Sequence, residues 1–318
     1  YLLGKEVEVD AICDGQDVFI PGIMEHIEKA GVHSGDSMAV YPPQDINIES
    51  QNEIIKWTTA IAKELKVIGL VNFQFVLRDN KVFVLEVNPR SSRTVPFISK
   101  VTNLSLVDIA TQAILGRSLK EQGPYIGHYP EGQWVAVKSP VFSFEKLHNV
   151  DAVLGPEMKS TGESIGIDTT FDKALLKSMM AAGIKVKGYG KILVTLADKH
   201  KDEVMPFLKD LKSLGFSFYA TKGTADCMEK ASIEVDRIHK IKEGSPHILD
   251  LVIHKKVDMV VNTMSRSTQE RSDGFKLRRA CAENGIPCLT SADTFVAMVR
   301  ALKGLQFSCL SLDQGQFC

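Results

Sequence analysis

The front of the chain alternates. Val7, Val9 and Ala11 interleave with Glu6, Glu8 and Asp10, the period-two pattern of a half-buried strand, and Asp14-Gly15 supplies a turn. Residues 18–23 can return as a second strand. A loop with glycine near both ends follows, Gly31-Val32-His33-Ser34-Gly35-Asp36-Ser37. Ile54, Trp57, Ile61 and Leu65 then recur at helical spacing, which predicts an amphipathic helix over 52–65. Val71, Phe73 and Phe75 alternate with Asn72 and Gln74, while Val82, Val84, Glu86 and Asn88 share one face of the next strand. The polar run Arg78-Asp79-Asn80-Lys81 between them predicts a hairpin. A helix over 106–115 stopped by Gly116, a turn-rich stretch over 117–133 and an extended segment over 134–142 complete an α+β first half.

The rhythm changes after Gly188-Tyr189-Gly190. Short apolar strands over 192–196, 216–220, 233–238, 257–262 and 286–289 alternate with helical patterns, one of them marked by Val204, Phe207, Leu208, Leu211 and Leu214 and ended by Gly215. Further helices are expected from Thr224 and near His247, Lys276 and Ser291. Such β-α alternation predicts a small, doubly wound parallel α/β domain. A length of 318 residues suits two cores, so domains at 1–184 and 185–318 are expected, with the break between Ala182 and Tyr189.

Composition narrows the function classes. With 38 Lys+Arg against 39 Asp+Glu, the chain as a whole is no electrostatic partner for nucleic acid. No apolar run approaches the roughly 18 residues of a membrane span. The six cysteines form no CxxC pair, which reads as reduced thiols in a cytoplasmic protein and not as a zinc site. The chain opens at Tyr1 without Met and runs at once into a strand pattern, as a piece of something larger would.

Glu86 and Asn88 are two residues apart and so share a strand face. A three-residue hairpin loop places Gln74 opposite Glu86; a two-residue loop places Leu85 there, and both registers stay open. Glu, Asn and Gln together make an all-oxygen set with one negative charge, suited to a hard ion such as Mg²⁺ already bound to nucleotide phosphates. Arg90 and Arg93 follow at the strand end, where guanidinium forks would hold a transferring phosphoryl group and an anionic acceptor. Taken singly, each residue fits a solvated hairpin with weak surface pairs better. Taken together, two arginines and a carboxylate around a proline-fixed strand end favour chemistry.

The second half offers an anion site of its own. Phe218-Tyr219-Ala220-Thr221-Lys222-Gly223-Thr224 reads as strand, tight turn and helix start, where backbone N–H groups and hydroxyls can cradle a phosphate. Asn262 and Thr263 end a neighbouring strand at the usual ligand edge of such sheets, and Lys201 and Lys240 follow two others. Thr221 and Thr224 alone would be plain turn and cap residues. Two lysines converging on the same edge tip the balance towards a site.

These strings resemble the carbamoyl-phosphate synthetase large subunit, in its C-terminal portion. They are Val9-Asp10-Ala11-Ile12-Cys13-Asp14-Gly15, Gly22-Ile23-Met24-Glu25-His26-Ile27-Glu28, Ala30-Gly31-Val32-His33-Ser34-Gly35-Asp36-Ser37, the run from Glu86 to Phe97, and Leu154-Gly155-Pro156-Glu157-Met158-Lys159-Ser160-Thr161-Gly162-Glu163. The resemblance covers essentially the whole chain. It implies the later, partial portion of an ATP-grasp domain followed by a methylglyoxal-synthase-like allosteric domain. It further implies an ATP-dependent ligase phosphorylating carbamate to carbamoyl phosphate, for arginine and pyrimidine synthesis. Gln74, Glu86 and Asn88 would bind Mg²⁺ or Mn²⁺, Arg90 and Arg93 would contact phosphate and carbamate, and Glu6 would meet the ATP ribose. Val32, His33 and Ser34 would line the nucleotide pocket, and His26 would lie near the phosphates and a K⁺ ion.

The implied partners are the remainder of the large subunit and a small glutaminase subunit supplying ammonia; an oligomer is compatible with both. Lys201, Thr221, Thr224, Lys240, Asn262 and Thr263 match the allosteric positions for a nucleotide such as UMP or IMP, or for phosphoribosyl pyrophosphate. Met264 departs from relatives that carry a second Thr there. Methylglyoxal synthase catalysis would need a carboxylate base beside the cradle; Glu270 and Asp273 sit in a polar loop without a matching motif. By itself the chain is expected to act as an effector-binding module, and an ATP-grasp carboxylase would share Glu86 and Asn88 but not the second domain.

Overall fold

In this computed structural model, residues 4–146, 151–184, 187–263 and 272–304 are described. The first half is built on a sheet of strands β1 (Lys5–Asp14), β2 (Val18–Ile20), β3 (Ile23–Lys29) and β4 (Ala39–Tyr41), then helix α1 (Ile48–Glu64) and strands β5 (Ile68–Arg78) and β6 (Lys81–Asn88). Helices α2 (Val95–Thr102), α3 (Leu106–Ile114) and α4 (Leu119–Gln122) lead to β7 (Gly127–His128), β8 (Val135–Phe142), β9 (Ser160–Asp168) and α5 (Phe171–Ala181). The strand order is β6-β5-β1-β3-β4-β8-β9, antiparallel along that path, with β2 paired to β1 and β7 to β2.

Strand β1 is more than half-buried. Its apolar face carries Val7, Val9 and Ala11 into a core with Phe73 and Phe75, yet Glu6, Glu8 and Asp10 on the other face are only 3%, 2% and 1% exposed. The alternation was legible; the burial of its polar half was not, because segment 90–94 and neighbouring strands cover that face. Helix α1 also differs from expectation. Its buried stripe is Ser50, Ile54, Thr58 and Ala62, leaving Trp57 and Leu65 exposed. The expected strand over 18–23 divides at Pro21-Gly22 into β2 and β3.

The hairpin resolves both open registers by a third route. Its turn is the two residues Asp79 and Asn80, each at positive φ, the left-handed pair that two-residue hairpins favour. Gln74 nevertheless faces Glu86, because a bulge between Gln74 and Phe75 absorbs Leu85. The same bulge puts Val82 and Val84 on the face opposite Glu86 and Asn88, correcting their expected common face.

Gly166 lets α5 lie close on β9: a Cβ there would stand 2.0 Å from the Ala174 carbonyl oxygen. Strand β9, α5 and the short α2 carried no strong sequence signal.

The second half follows the expected alternation. It runs β10 (Gly190–Thr195), α6 (Asp198–Ser213), β11 (Phe216–Ala220), α7 (Lys222–Lys230), β12 (Asp236–Arg237), α8 (Ile248–Ile253), β13 (Met259–Asn262), α9 (Asp273–Asn284), β14 (Cys288–Leu289) and α10 (Ala292–Lys303). All pairings in the order β12-β11-β10-β13-β14 are parallel. The strand expected over 233–238 shrinks to Asp236–Arg237. The halves share a core: Met38, Val40 and Val137 of the first sheet and Leu175 and Met179 of α5 pack in one cluster with Val204, Phe295 and Met298. Polar links cross the same junction, from Thr294 to Glu28 (2.7 Å) and from Lys29 to Glu203 and Asp293. Among the described residues no helix is long and apolar enough to cross a membrane.

Candidate functional site

Pairing across β1, β5 and β6 builds two polar rows. Glu8 faces Gln74, which faces Glu86; Asp10 faces Asn72, which faces Asn88. Directly opposed residues in a sheet project from the same face, so six oxygen-bearing side chains from three strands form one surface. Asn72 donates to Glu8 at 2.7 Å and Asp10 at 3.0 Å. Segment 90–94 caps the surface, with the Thr94 hydroxyl 2.6 Å from Asp10 and 3.1 Å from Glu8, and Ser92 donating to Asp10 at 2.8 Å.

Two basic side chains sit within this acidic layer. His26, fully buried on β3, places Nε2 3.1 Å from Glu8 and Nδ1 3.7 Å from Glu6. Lys138 on β8 is also fully buried; its ammonium donates to the Ser34 carbonyl at 3.0 Å and lies 4.0 Å from Glu163. These charges divide the carboxylates. Burial works to raise Glu8, but the hydrogen bond and charge of His26, with Lys138, outweigh it and hold Glu8 low. Asp10 has no cation of its own, so burial and repulsion from Glu8 push it up. Burial raises Glu6 as well, against the charge of His26.

Of the residues singled out in the sequence, His33, Ser34, Gln74, Arg90 and Arg93 line one small cavity of about 50 Å³, whose wall also includes Glu8, Asn72, Thr94 and Lys138. His33 folds its ring back so that Nδ1 accepts from the Gly35 amide at 3.0 Å, and Ser34 Oγ accepts from Gln74 at 3.2 Å. Arg93 is held: Nη1 reaches Ser160 Oγ at 2.8 Å and Nε stands 3.3 Å from Glu163. Arg90 is exposed, and among the described residues its guanidinium bonds locally, to the Ser91 carbonyl at 3.0 Å. Glu86 accepts from Asn88 at 3.0 Å at the open edge of the sheet. Glu6, His26, Val32, Glu86 and Asn88 lie outside the cavity wall, His26 contacting the wall residue Glu8 from the neighbouring strand.

The donor set fits a divalent ion held together with phosphates. Gln74 spends its amide hydrogens on Ser34 and Asn72, and Asn88 spends one on Glu86, so both amide oxygens remain available beside a single exposed carboxylate. Sequence reasoning missed Glu8, Asp10, Asn72, Thr94 and Lys138. A signal existed for Lys138, a lone cation inside the apolar strand Val-Ala-Val-Lys, and for Asn72, two residues before Gln74.

The second sheet carries a cavity of about 350 Å³ at the carboxyl ends of its strands. All six residues expected there line it: Lys201, Thr221, Thr224, Lys240, Asn262 and Thr263. Thr221 occupies the N-cap of α7 but makes no side-chain cap bond, so capping does not account for it. Thr224 Oγ1 accepts from the Leu196 amide at 3.1 Å and Thr263 Oγ1 from the Ala197 amide at 3.0 Å, which aims each hydroxyl while its own hydrogen can donate. Lys201, raised by its hydrogen bond with Asp198, donates to the Gly223 carbonyl at 2.8 Å. Arg278 and Asp273 also line this cavity; Asp273 begins α9 and is not loop, as the sequence suggested. Met264 and Glu270 lie outside the described residues.

Comparison with known proteins gives two family matches. Residues 3–122 match the model described as "Carbamoyl-phosphate synthase L chain, ATP binding domain" and residues 203–290 the one described as "MGS-like domain". Among solved structures, the urea amidolyase of K. lactis is 14% identical over 56% of this chain and 12% of its own, at a TM-score of 0.45. The biotin carboxylase domain of a single-chain bacterial carboxylase is 16% identical over 56% of this chain and 46% of its own, also at 0.45. The N5-carboxyaminoimidazole ribonucleotide synthetase of Thermus thermophilus is 13% identical over 57% of this chain and 51% of its own, at 0.43. The chain thus spans well under two thirds of the length of each. The family matches, with the antiparallel first sheet and the parallel second, give an ATP-grasp-type ATP-binding part followed by a methylglyoxal-synthase-like domain.

Proposed function

We propose, from the premise that the chain is a part of a carbamoyl-phosphate synthetase large chain, that its first sheet supports phosphoryl transfer from ATP to carbamate. The observation that carries this reading is the convergence of Gln74, Arg90, Arg93 and Lys138 on one cavity, beside the Gln74–Glu86 pair. Gln74, Glu86 and Asn88 would hold Mg²⁺ or Mn²⁺, which when bound draws charge from the β- and γ-phosphates. The chain's own groups then position and neutralise. Arg93, pinned by Ser160 and Glu163, presents a fixed positive edge, and the exposed Arg90 is free to follow the acceptor. Phosphoryl transfer asks little covalent work of a protein, so in-line placement and charge compensation are the whole contribution. His26 would act through its contact with Glu8, keeping that carboxylate ionised, and a K⁺ ion would sit near it and Glu6. The products are carbamoyl phosphate and ADP.

In the same reading, the second-sheet cavity binds a phosphorylated effector, a nucleotide such as UMP or IMP or phosphoribosyl pyrophosphate. Threonine hydroxyls, the α7 N-terminus and two lysines supply donors and charge. A glutaminase subunit and the rest of the large chain complete the proposed assembly, which would act in the cytoplasm. By itself this chain is expected to bind effector without making carbamoyl phosphate.

The test uses the synthetase large chain carrying this segment, with ammonia and bicarbonate as substrates. Arg93→Ala is expected to cut carbamoyl-phosphate formation by about 10³-fold while leaving bicarbonate-dependent ATP hydrolysis elsewhere in the large chain in place. Equal rates in Arg93→Ala and wild type would overturn the assignment.

A further inference from the structure

Arg278 belongs to two neighbourhoods at once. It lines the second-sheet cavity, and it also lines a separate cavity of about 430 Å³ between the two halves. The residue is 3% exposed and its guanidinium is divided: Nη1 donates to Asn262 at 2.6 Å, while Nε and Nη2 clasp the two oxygens of Asp151, each at 2.6 Å. Gly274 permits this reach, because a Cβ there would stand 3.0 Å from Nη1. A bidentate pair is strong where solvent is scarce, and it is also the kind of grip that a phosphate group can take over.

Asp151 opens the segment 151–160, a strap laid over the nucleotide side of the first half. The Gly155 carbonyl accepts from the His33 amide at 2.8 Å. The Lys159 and Ser160 amides both donate to Asp36, each at 2.8 Å. Met158 and Ser160 touch the Arg93 guanidinium, at 3.0 and 2.8 Å. One short stretch of chain therefore joins an effector-cavity arginine to the loop and to the arginine proposed to meet phosphate. The Asp151 pair is its contact with the wall of the effector cavity.

We propose that Arg278 is a binding residue for the anionic group of the effector, and that this group competes with Asp151 for the guanidinium and so loosens the strap that fixes His33 and Arg93. The proposal rests on the reading of the second-sheet cavity as a phosphorylated-ligand site. Competition has a signature that a merely structural arginine lacks: removing the rival carboxylate must tighten ligand binding, whereas removing the arginine must weaken it.

Calorimetry of the 318-residue chain with UMP and with phosphoribosyl pyrophosphate tests this. Asp151→Asn, which keeps the side-chain size, is expected to bind about three- to tenfold tighter than wild type, and Arg278→Gln about tenfold more weakly. Amide exchange over 151–160 is expected to speed up when ligand is added to wild type, and to be fast already in Asp151→Asn. Asp151→Asn affinity equal to wild type, or a strap whose exchange ignores the ligand, overturns the link and leaves the cavity assignment standing. Wild type binding neither probe overturns the cavity assignment and the link with it. Should Arg278→Gln not fold, the Asp151→Asn comparison and the wild-type exchange measurement decide alone.

Discussion

The two sheets hold their proposed phosphate sites in opposite ways. The first buries its chemistry: Glu8, Asp10 and His26 are interior residues of an antiparallel sheet, Glu8 partnered by His26 and Asn72 and Asp10 by the hydroxyls of Thr94 and Ser92. The second keeps its chemistry at the rim, where parallel strands end and helix α7 begins, with Lys201 and Lys240 reaching in from loops and helices. Buried charges must be paired to be tolerated, so the first site is part of what holds its half together. Rim residues can change with little cost to the fold, so the second site is separable from stability. The difference also predicts how each half fails.

Lys138→Met gives the largest expected effect. It leaves Glu163 and Glu8 without their buried cation, and urea denaturation should show a loss of about 3–5 kcal/mol. Next is Glu8→Gln, at about 2 kcal/mol near neutral pH, since Asn72, Thr94 and His26 lose a charged acceptor. This loss depends on pH. The Glu8 carboxyl is depressed in the fold, so its contribution is present above its unfolded pKa of about 4.3 and fades as pH falls towards the depressed value. Wild type and Glu8→Gln should therefore converge on acidification and separate on return to neutrality. Smallest is Lys201→Ala, with stability within about 0.5 kcal/mol of wild type although calorimetry should show effector affinity falling about tenfold. A Lys138→Met protein as stable as Lys201→Ala would erase the contrast.

The same contrast explains what could be read in advance. The parallel half was legible almost element by element, because each strand is a short apolar run and its candidate site residues lie at or soon after the ends of those runs. The six residues expected at its cavity do line it. In the antiparallel half, the strands and the Gln74, Glu86 and Asn88 set could be found from period-two spacing, but the site depends on cross-strand rows. Glu8 and Asp10 looked like a solvated face because nothing local says that Thr94 and Ser92, some 80 residues later, fold over them. Register was equally hidden. The bulge that seats Glu86 opposite Gln74 after a two-residue turn leaves no trace in hydrophobic alternation.

The most direct test of the central claim runs phosphoryl transfer backwards. The synthetase large chain carrying this segment, given carbamoyl phosphate and MgADP, should form ATP, and Arg93→Ala and Glu86→Gln should each lower that rate by about 10²-fold or more. No ATP from wild type, or rates unchanged in both variants, would contradict the assignment of the first sheet to carbamate phosphorylation.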